Sequence, residues 1–416
     1  MLKYLLSLIF LLASTFMWAA KAPTDEQLKA FCRDAGAAMM GCETSEAQQE
    51  AFNKVATQFA ATADITKITS QQVNLLFENG GMTLDRLLRV WLEPTFQQRA
   101  KTETIFAFYL WKYMPENDGF MHGEKETAAF VDFLAAKDLQ KVINEHSEVT
   151  IDVFDAMPTM KDANWHTEGF AEGMLHLMNC NISDKAVMEC VKVFNSIARV
   201  DTIETGLRDQ FRTICRDKYS ALASTLESQR KIKACKEQVK YLEGPFACGT
   251  LVGSKAPELH LIRVFKQNNG EVEILPAASL DAFKGKVVML DFWGTKCVPC
   301  LQAFPELAEM QAYFEGKDVV ILGVTSLQGY FVDANKRTIQ CLNDKEKEMS
   351  FFPEYMKAKG ITWTIGISEE DVMNSDYGAL AIPHVVVIDK DGIVRHNAVN
   401  GDKETKIKLI ENYLNN

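Results

Sequence analysis

The sequence predicts two architectures in series: an all-α domain over residues 21–245 and an α/β domain over residues 246–416. Three observations carry this. Apolar residues recur at helical spacing from Thr24 to about Tyr241. Beyond Gly244-Pro245 the pattern changes to short apolar runs of strand length, separated by turn residues. Between two of those runs stands Trp-Gly-Thr-Lys-Cys-Val-Pro-Cys, residues 293–300, with a helical segment behind it.

Size and composition fit a globular chain of two or three domains. Of 416 residues, 47% are hydrophobic and 24% charged, which excludes a disordered or low-complexity protein. The net charge of −11 argues against nucleic acid as a partner, because phosphate backbones demand a basic face.

The first residues concern address. Lys3 precedes an uncharged stretch, Tyr4–Ala20, and small residues follow before Lys21. This reads as a signal peptide over residues 1–20, with cleavage near Ala19 or Ala20. Met17 or Trp18 falls three positions back from that site, where a small residue is the rule. A membrane anchor through residues 4–20 is therefore the alternative, its 17 residues reaching the short limit for a bilayer span. Either reading exports the protein to the periplasm or another extracytoplasmic compartment.

In the helical half, Thr24-x-x-Gln27 is a capping box opening an apolar run through Leu28, Phe31 and Cys32. Phe52, Val55, Ala56 and Phe59 continue the spacing, as do Phe130, Phe133 and Leu134. Ser183 caps a segment bearing Cys190, Phe194 and Ile197 on one face. Leu207, Phe211, Ile214, Leu222 and Leu226 stripe a last long helix over 207–242, which Gly244-Pro245 ends. No repeat of solenoid length is visible. Glu168, Glu172 and His176, four apart, suggest a metal face, but no facing Glu-x-x-His exists and a solvated face is the simpler reading. Met157, Met160, Met174, Met178 and Met188 read as core packing.

The second half reads as a hairpin (258–265 and 271–275), a buried strand at 286–290, a helix, and a second buried strand at 318–326. Another hairpin turns at Lys390-Asp391-Gly392, and an amphipathic helix spans about 403–413. The longer segment at about 327–360 is an insertion between strands.

Of ten cysteines, eight lie outside the Cys-x-x-Cys pair: Cys32, Cys42, Cys180, Cys190, Cys215, Cys235, Cys248 and Cys341. In an exported protein these suit structural disulfides, with no connectivity fixed by the sequence. One continuous helix over 207–242 would separate Cys215 from Cys235 by about 30 Å. Those two therefore pair only if that helix breaks and folds back. Cys248 and Cys341, both in the second half, are an expected pair.

Cys297 falls where a buried strand hands over to a helix. A thiolate is favoured there by unpaired N–H groups and the positive end of the helix dipole. Pro299 suits a first turn, where no N–H is needed. Cys300, one turn on, is placed to resolve a mixed disulfide. A structural zinc site would need about four ligands, and no second Cys-x-x-Cys exists. An inert staple is disfavoured, since such short loops are redox-labile.

With these residues in view, 251–416 resembles the exported TlpA-type thioredoxin family. Phe-Lys-Gly-Lys-Val-Val-Met-Leu-Asp-Phe-Trp followed by Cys-Val-Pro-Cys and Pro305-Glu306-Leu307 is similar to its first signature. Tyr377-Gly-Ala-Leu-Ala-Ile-Pro383 with the following strand is similar to its second. The resemblance implies a thioredoxin-like domain with Pro383 as a cis-proline, the backbone of Ile382 pairing with an extended substrate segment, and Trp293 shielding the disulfide. It implies that Asp291 is a buried acid taking the proton of the resolving cysteine. It leaves residues 24–245 unassigned. Three positions depart from the family pattern. Lys296 replaces a bulky residue and either tunes the Cys297 thiolate or is solvated. Ala303 replaces a glutamate of many reducing members. His384 replaces threonine and is either a tuner or a strand residue.

The expectation is an exported thiol–disulfide oxidoreductase running in the reductase or isomerase direction. Its partners would be protein thiols and disulfides and an upstream redox donor or acceptor. No cofactor or metal is expected. A scaffold with a docking thioredoxin domain is one alternative. A thiol peroxidase is another, weakened because Thr295 stands two residues before Cys297 rather than three and the motif's proline is missing.

Overall fold

The computed structural model describes residues 21–114, 124–160, 162–200, 202–268, 270–342 and 344–414. The expected signal or anchor at residues 1–20 lies outside them. No helix among the described residues is long and apolar enough to cross a membrane. The chain divides into two compact units, one ending at Ile203 and the next beginning at Glu204. The change from helix to strand comes later, after Glu243. The last helices before the sheet thus belong with the second unit, not with a helical domain closing near residue 245.

The first unit is all helix. Helix α1 (Asp25–Met39) opens with the expected box: Thr24 accepts from the Gln27 N–H, and the Gln27 side chain accepts from the Thr24 N–H. Its stripe of Leu28, Phe31, Cys32, Ala35 and Met39 is buried, because spacing of three and four gathers these residues on one face. Against it lie α2 (Ser45–Ala60) and α3 (Ser70–Arg99). Phe31 centres this packing, stacked on Trp91 at 4.9 Å with Phe59 at 5.0 Å. Helix α4 (Thr104–Tyr113) meets α5 (Glu124–Leu134) through a Trp111–Phe130 stack at 4.2 Å. Shorter helices complete the unit: α6 (Leu139–Glu145), α7 (Glu148–Ala156), α8 (Asp162–Trp165), α9 (Phe170–Asn179), α10 (Asp184–Glu189) and α11 (Val191–Ile197). Met157, Met174 and Met178 are fully buried among them. Glu168 precedes α9, and Gly169, with φ +78°, begins it, so Glu168, Glu172 and His176 form no continuous helical stack. His176 instead sets Nδ1 2.9 Å from the Leu134 carbonyl.

The second unit corrects the single long helix. Helix α12 (Thr205–Thr225) stops where Leu226 and Ser228 adopt extended backbone angles, and α13 (Gln229–Glu243) runs back beside it. The Arg212 guanidinium donates to the Leu242 carbonyl at 3.0 Å. That carbonyl sits in the last turn of α13, where no intrahelical donor reaches it. The fold-back removes the distance argument against pairing Cys215 with Cys235, and both are buried. Cys297 and Cys300 are joined in a disulfide. The expected Cys248–Cys341 pair does not form, and both are free thiols. Each sulfur is engaged locally: Cys248 lies 3.5 Å from the Glu243 carbonyl and Cys341 3.6 Å from that of Ile339.

A twisted sheet follows. Its strands are β1 (His260–Asn268), β2 (Glu271–Leu275), β3 (Ala278–Ser279), β4 (Val287–Phe292), β5 (Val319–Ser326), β8 (Thr364–Ser368), β9 (His384–Ile388) and β10 (Val394–His396). The order is β10-β9-β4-β5-β8-β1-β2, with β3 on β1. Strands β4, β5 and β8 are parallel and β9 runs against β4. Between β4 and β5 runs α14 (Val298–Tyr313); α17 (Lys403–Leu414) closes the chain. The insertion carries a separate two-stranded hairpin, β6 (Tyr330–Val332) with β7 (Thr338–Gln340), then α15 (Lys345–Ser350) and α16 (Phe352–Lys359). Strand β8, near the centre of the sheet, is not among the runs picked out from the sequence. This is the thioredoxin fold, preceded by an all-helical region.

Strand β4 is buried throughout and alternates between two cores. Val287, Met289 and Trp293 face the layer holding Cys300, Phe304, Leu307 and Ile410. Val288, Leu290 and Phe292 face the layer holding Val372, Tyr377 and Val386. Asp291, between Met289 and Trp293, falls by the same alternation on the Cys300 side.

Candidate active site

The site grows from the carboxyl end of β4. After Trp293 the chain turns through Gly294-Thr295-Lys296 and enters α14, with Cys297 as the N-cap and Pro299 in the first turn. The Cys300 N–H donates to Cys297 Sγ at 3.2 Å. Cys297 is half-buried and Cys300 is 1% exposed, so one sulfur faces outward and the other inward. The Ile382–Pro383 peptide bond is cis, and the Ile382 carbonyl oxygen lies 3.6 Å from Cys297 Sγ.

Asp291 is 3% exposed. Burial pushes its carboxyl up to about 7, and the Lys406 ammonium of α17 opposes that rise. Lys406 also lies 3.6 Å from Glu306 of α14, at the edge of this layer. A carboxyl of this affinity exchanges a proton near neutrality, and it sits on the sheet face that carries Cys300.

Other expected residues fall in different places. Trp293 is fully buried, in edge contact with Phe304 and stacked on Tyr355. It supports the cysteine loop from within the core and offers no face to a substrate. Its indole nitrogen and that of Trp363 both come within 3.0 Å of where a Cβ on Gly323 would stand. Gly323 is Cα partner to Asp291 in the sheet, so the absent side chain makes room for two indoles beside the acid. His384 starts β9 opposite Phe292, whose ring it meets at 6.0 Å. That places it on the far face of the sheet from Cys300. Burial holds its imidazole below the usual range, and Nε2 lies 2.9 Å from Asn397 Oδ1. The strand-residue reading of His384 is the one this placement supports. Lys296 is exposed, its ammonium 5.9 Å from the centre of the Tyr330 ring. Ala303 contributes no carboxylate.

Several neighbours of the cysteines are not visible as such in the sequence. Thr295 Oγ1 accepts from the Val332 N–H at 3.3 Å, tying β6 to the cysteine loop. The buried Glu348 carboxylate accepts from the N–H groups of Gln328 and Gly329, both at 2.9 Å. The only hint of either was the length of the insertion. Among the described residues, no group of three or more His, Cys, Asp or Glu side chains is arranged to hold a metal.

A thioredoxin fold with a Cys-x-x-Cys at the head of a helix, beside a cis-proline, defines a class of thiol–disulfide domains. The chain's similarities fall in that class: residues 251–414 match the Redoxin family model. The thioredoxin-like protein YneN of Bacillus subtilis is 29% identical over 163 residues, which cover 39% of this chain and 80% of that protein. The thiol-disulfide oxidoreductase ResA of Bacillus thuringiensis subsp. konkukian is 30% identical over 135 residues, 32% of this chain and 65% of that one. Among solved structures, the thioredoxin domain of a thiol-disulfide oxidoreductase from Bacteroides vulgatus is similar at 23% identity and a TM-score of 0.28, covering 38% of this chain and 97% of that one. The C-terminal half is a Redoxin domain with the fold and cysteine pair of the protein-disulfide oxidoreductases.

Proposed function

We propose that the protein is an exported thiol–disulfide oxidoreductase in which Cys297 attacks and Cys300 resolves. The observation that carries the reading is the N-cap position of Cys297, its sulfur accepting the Cys300 N–H at 3.2 Å. In the reduced enzyme that donor and the helix dipole favour the Cys297 thiolate. The thiolate attacks one sulfur of a substrate disulfide; a mixed disulfide forms and the other substrate sulfur leaves as a thiolate, which takes a proton. The Cys300 thiol then gives its proton to the Asp291 carboxylate and attacks Cys297 Sγ. The second substrate thiolate is expelled and the enzyme's disulfide closes. The substrate gains two electrons, which a dithiol donor must restore to the enzyme. The substrate's extended segment lies along Ile382-Pro383.

The reducing direction is supported by Val298 and Pro299, which carry no side-chain donor to hold the thiolate, and by a buried base ready to ionise Cys300. Export rests on the apolar stretch at residues 4–20. Titration of the Cys297–Cys300 couple against dithiothreitol or glutathione tests the proposal. The expected potential lies nearer the ~−270 mV of thioredoxin than the ~−120 mV of DsbA. A value near the latter reverses the direction, and a pair that does not cycle ends the reading.

A further inference from the structure

Lys296 stands next to the attacking sulfur, and the insertion holds it there. Thr295 on one side is bonded to Val332 of β6; on the other, the Cys297 N–H donates to the Gly294 carbonyl at 3.0 Å. The hairpin that supplies Val332 is itself fixed. Glu348 clamps Gln328 and Gly329, and the Gly329 carbonyl accepts from the N–H groups of Cys341 and Leu342 at 2.8 and 2.6 Å. Phe331, 2% exposed, is wedged among Phe351, Phe352 and Tyr355. Tyr330, next in the same strand, offers its ring to the Lys296 ammonium. Among the described residues no carboxylate pairs with Lys296. Beside it Val298, 62% exposed, gives the rim of the disulfide an apolar surface. A partner segment lying over Cys297 therefore meets a preplaced, unneutralised cation at the residue flanking its own cysteine.

We propose that Lys296, presented by the β6–β7 hairpin, makes this site select partner disulfides whose cysteine is flanked by an acidic side chain. The proposal rests on Cys297 being the attacking sulfur. Its sign runs against the molecule as a whole: a net charge of −11 steers basic partners inward and acidic ones away. A preference for acid can only be local.

The test uses the full chain in reduced form and three symmetrical disulfides of the blocked tripeptide X-Cys-Ala, with X as Glu, Gln or Lys. Second-order rates of reduction are compared at low and high ionic strength. The Glu probe is expected to react about threefold faster than the Lys probe at low salt, the scale of one exposed ion pair. The ratio should fall towards one at high salt. Lys296→Glu should invert it, and Tyr330→Ala should shrink it. Any effect of Lys296 on the acidity of Cys297 changes all three rates together and cancels in the ratio. Equal rates for the Glu and Lys probes, or a faster Lys probe that Lys296→Glu leaves unchanged, would overturn the proposal. Failure to reduce even the Gln probe would overturn the oxidoreductase reading, and this one with it.

Discussion

Cys32 in the helical unit and Cys297 in the sheet unit both belong to well-formed helices, yet their sulfurs have opposite chemistry. Cys32 sits mid-helix in α1, 4% exposed, where every nearby N–H is already committed to the helix ladder. Burial pushes its thiol up to about 11, and the sulfur's polar neighbour is an acceptor, the Leu76 carbonyl at 3.7 Å. Cys297 caps α14, half-buried, and its sulfur receives an N–H. On the proposed reading, position along the helix separates an inert thiol from a nucleophile. The sheet unit supplies that position by ending a buried strand immediately before the helix; the helical unit buries Cys32 inside a helix whose N–H groups are already spent.

The largest effects should come from breaking this contrast. Cys297→Ser is expected to reduce peptide-disulfide turnover to the uncatalysed background. Cys300→Ser should accumulate a mixed disulfide with substrate that non-reducing electrophoresis resolves. Cys32→Ser should retain the full rate. Iodoacetamide at neutral pH should label Cys297 of the reduced protein well before Cys32, read by peptide mass spectrometry. Turnover that survives Cys297→Ser would sink the contrast.

A second pair of residues sharpens it within the sheet unit alone. Asp291 and Asp389 are both buried aspartates. Asp389 accepts from the N–H groups of Asp391 and Ile393 and from Arg395 at 2.6 Å, which together hold its carboxyl below the usual range. Among the described residues Asp291 has no such set of donors, and burial pushes it up to about 7. The consequences for stability have opposite signs. A raised carboxyl favours folding while protonated, so what Asp291 contributes is complete below about pH 4 and is lost as pH rises through about 7. Asp291→Asn should therefore melt with wild type at about pH 4 and above it at about pH 8, by an amount on the order of a few kcal/mol. Asp389→Asn should do the reverse, melting below wild type at neutrality and converging as acid protonates the native carboxylate. Melting curves of the oxidised protein across that range decide the matter. An Asp291→Asn curve parallel to wild type would remove Asp291 as a buried, titrating base.

How much of this the sequence shows follows from how local each signal is. The Cys-x-x-Cys, the strand before it and the proline at 383 are contiguous signatures, and each expresses a local need: an apolar run, a helix start, a fixed turn. The capping box at Thr24 is legible for the same reason. The break at Leu226–Ser228 is hidden, because the apolar stripe of 207–242 continues across it; the fold-back is sealed by tertiary bonds such as Arg212 to Leu242. The sequence-based pairing of Cys248 with Cys341 failed on similar grounds, since each sulfur is held by its own local turn. Lys296 shows the gap most clearly. The sequence places a cation beside Cys297, but its fixing depends on Val332, Tyr330 and Glu348, which reach it only through the folded insertion.

The smallest effects come from two glycines, one in each unit. Gly323 lies in β5 where a Cβ would stand 2.7 Å from Ile365 Cδ1 and 3.0 Å from each of two indole nitrogens. Neither the rings nor the central strand can withdraw far, so Gly323→Ala should cost about 1–3 kcal/mol as overpacking. Gly36 lies inside α1 with nothing within 4 Å of the corresponding position. There glycine only weakens the helix, and Gly36→Ala should stabilise by about 0.5–1 kcal/mol. Because two units need not unfold together, amide hydrogen exchange followed separately in α1 and in β4–β5 is the right readout. Protection should rise in α1 for Gly36→Ala and fall in β4–β5 for Gly323→Ala. A rise in β4–β5 for Gly323→Ala would mean that the indoles over Gly323 can yield, and that the floor beneath Asp291 is softer than its packing implies.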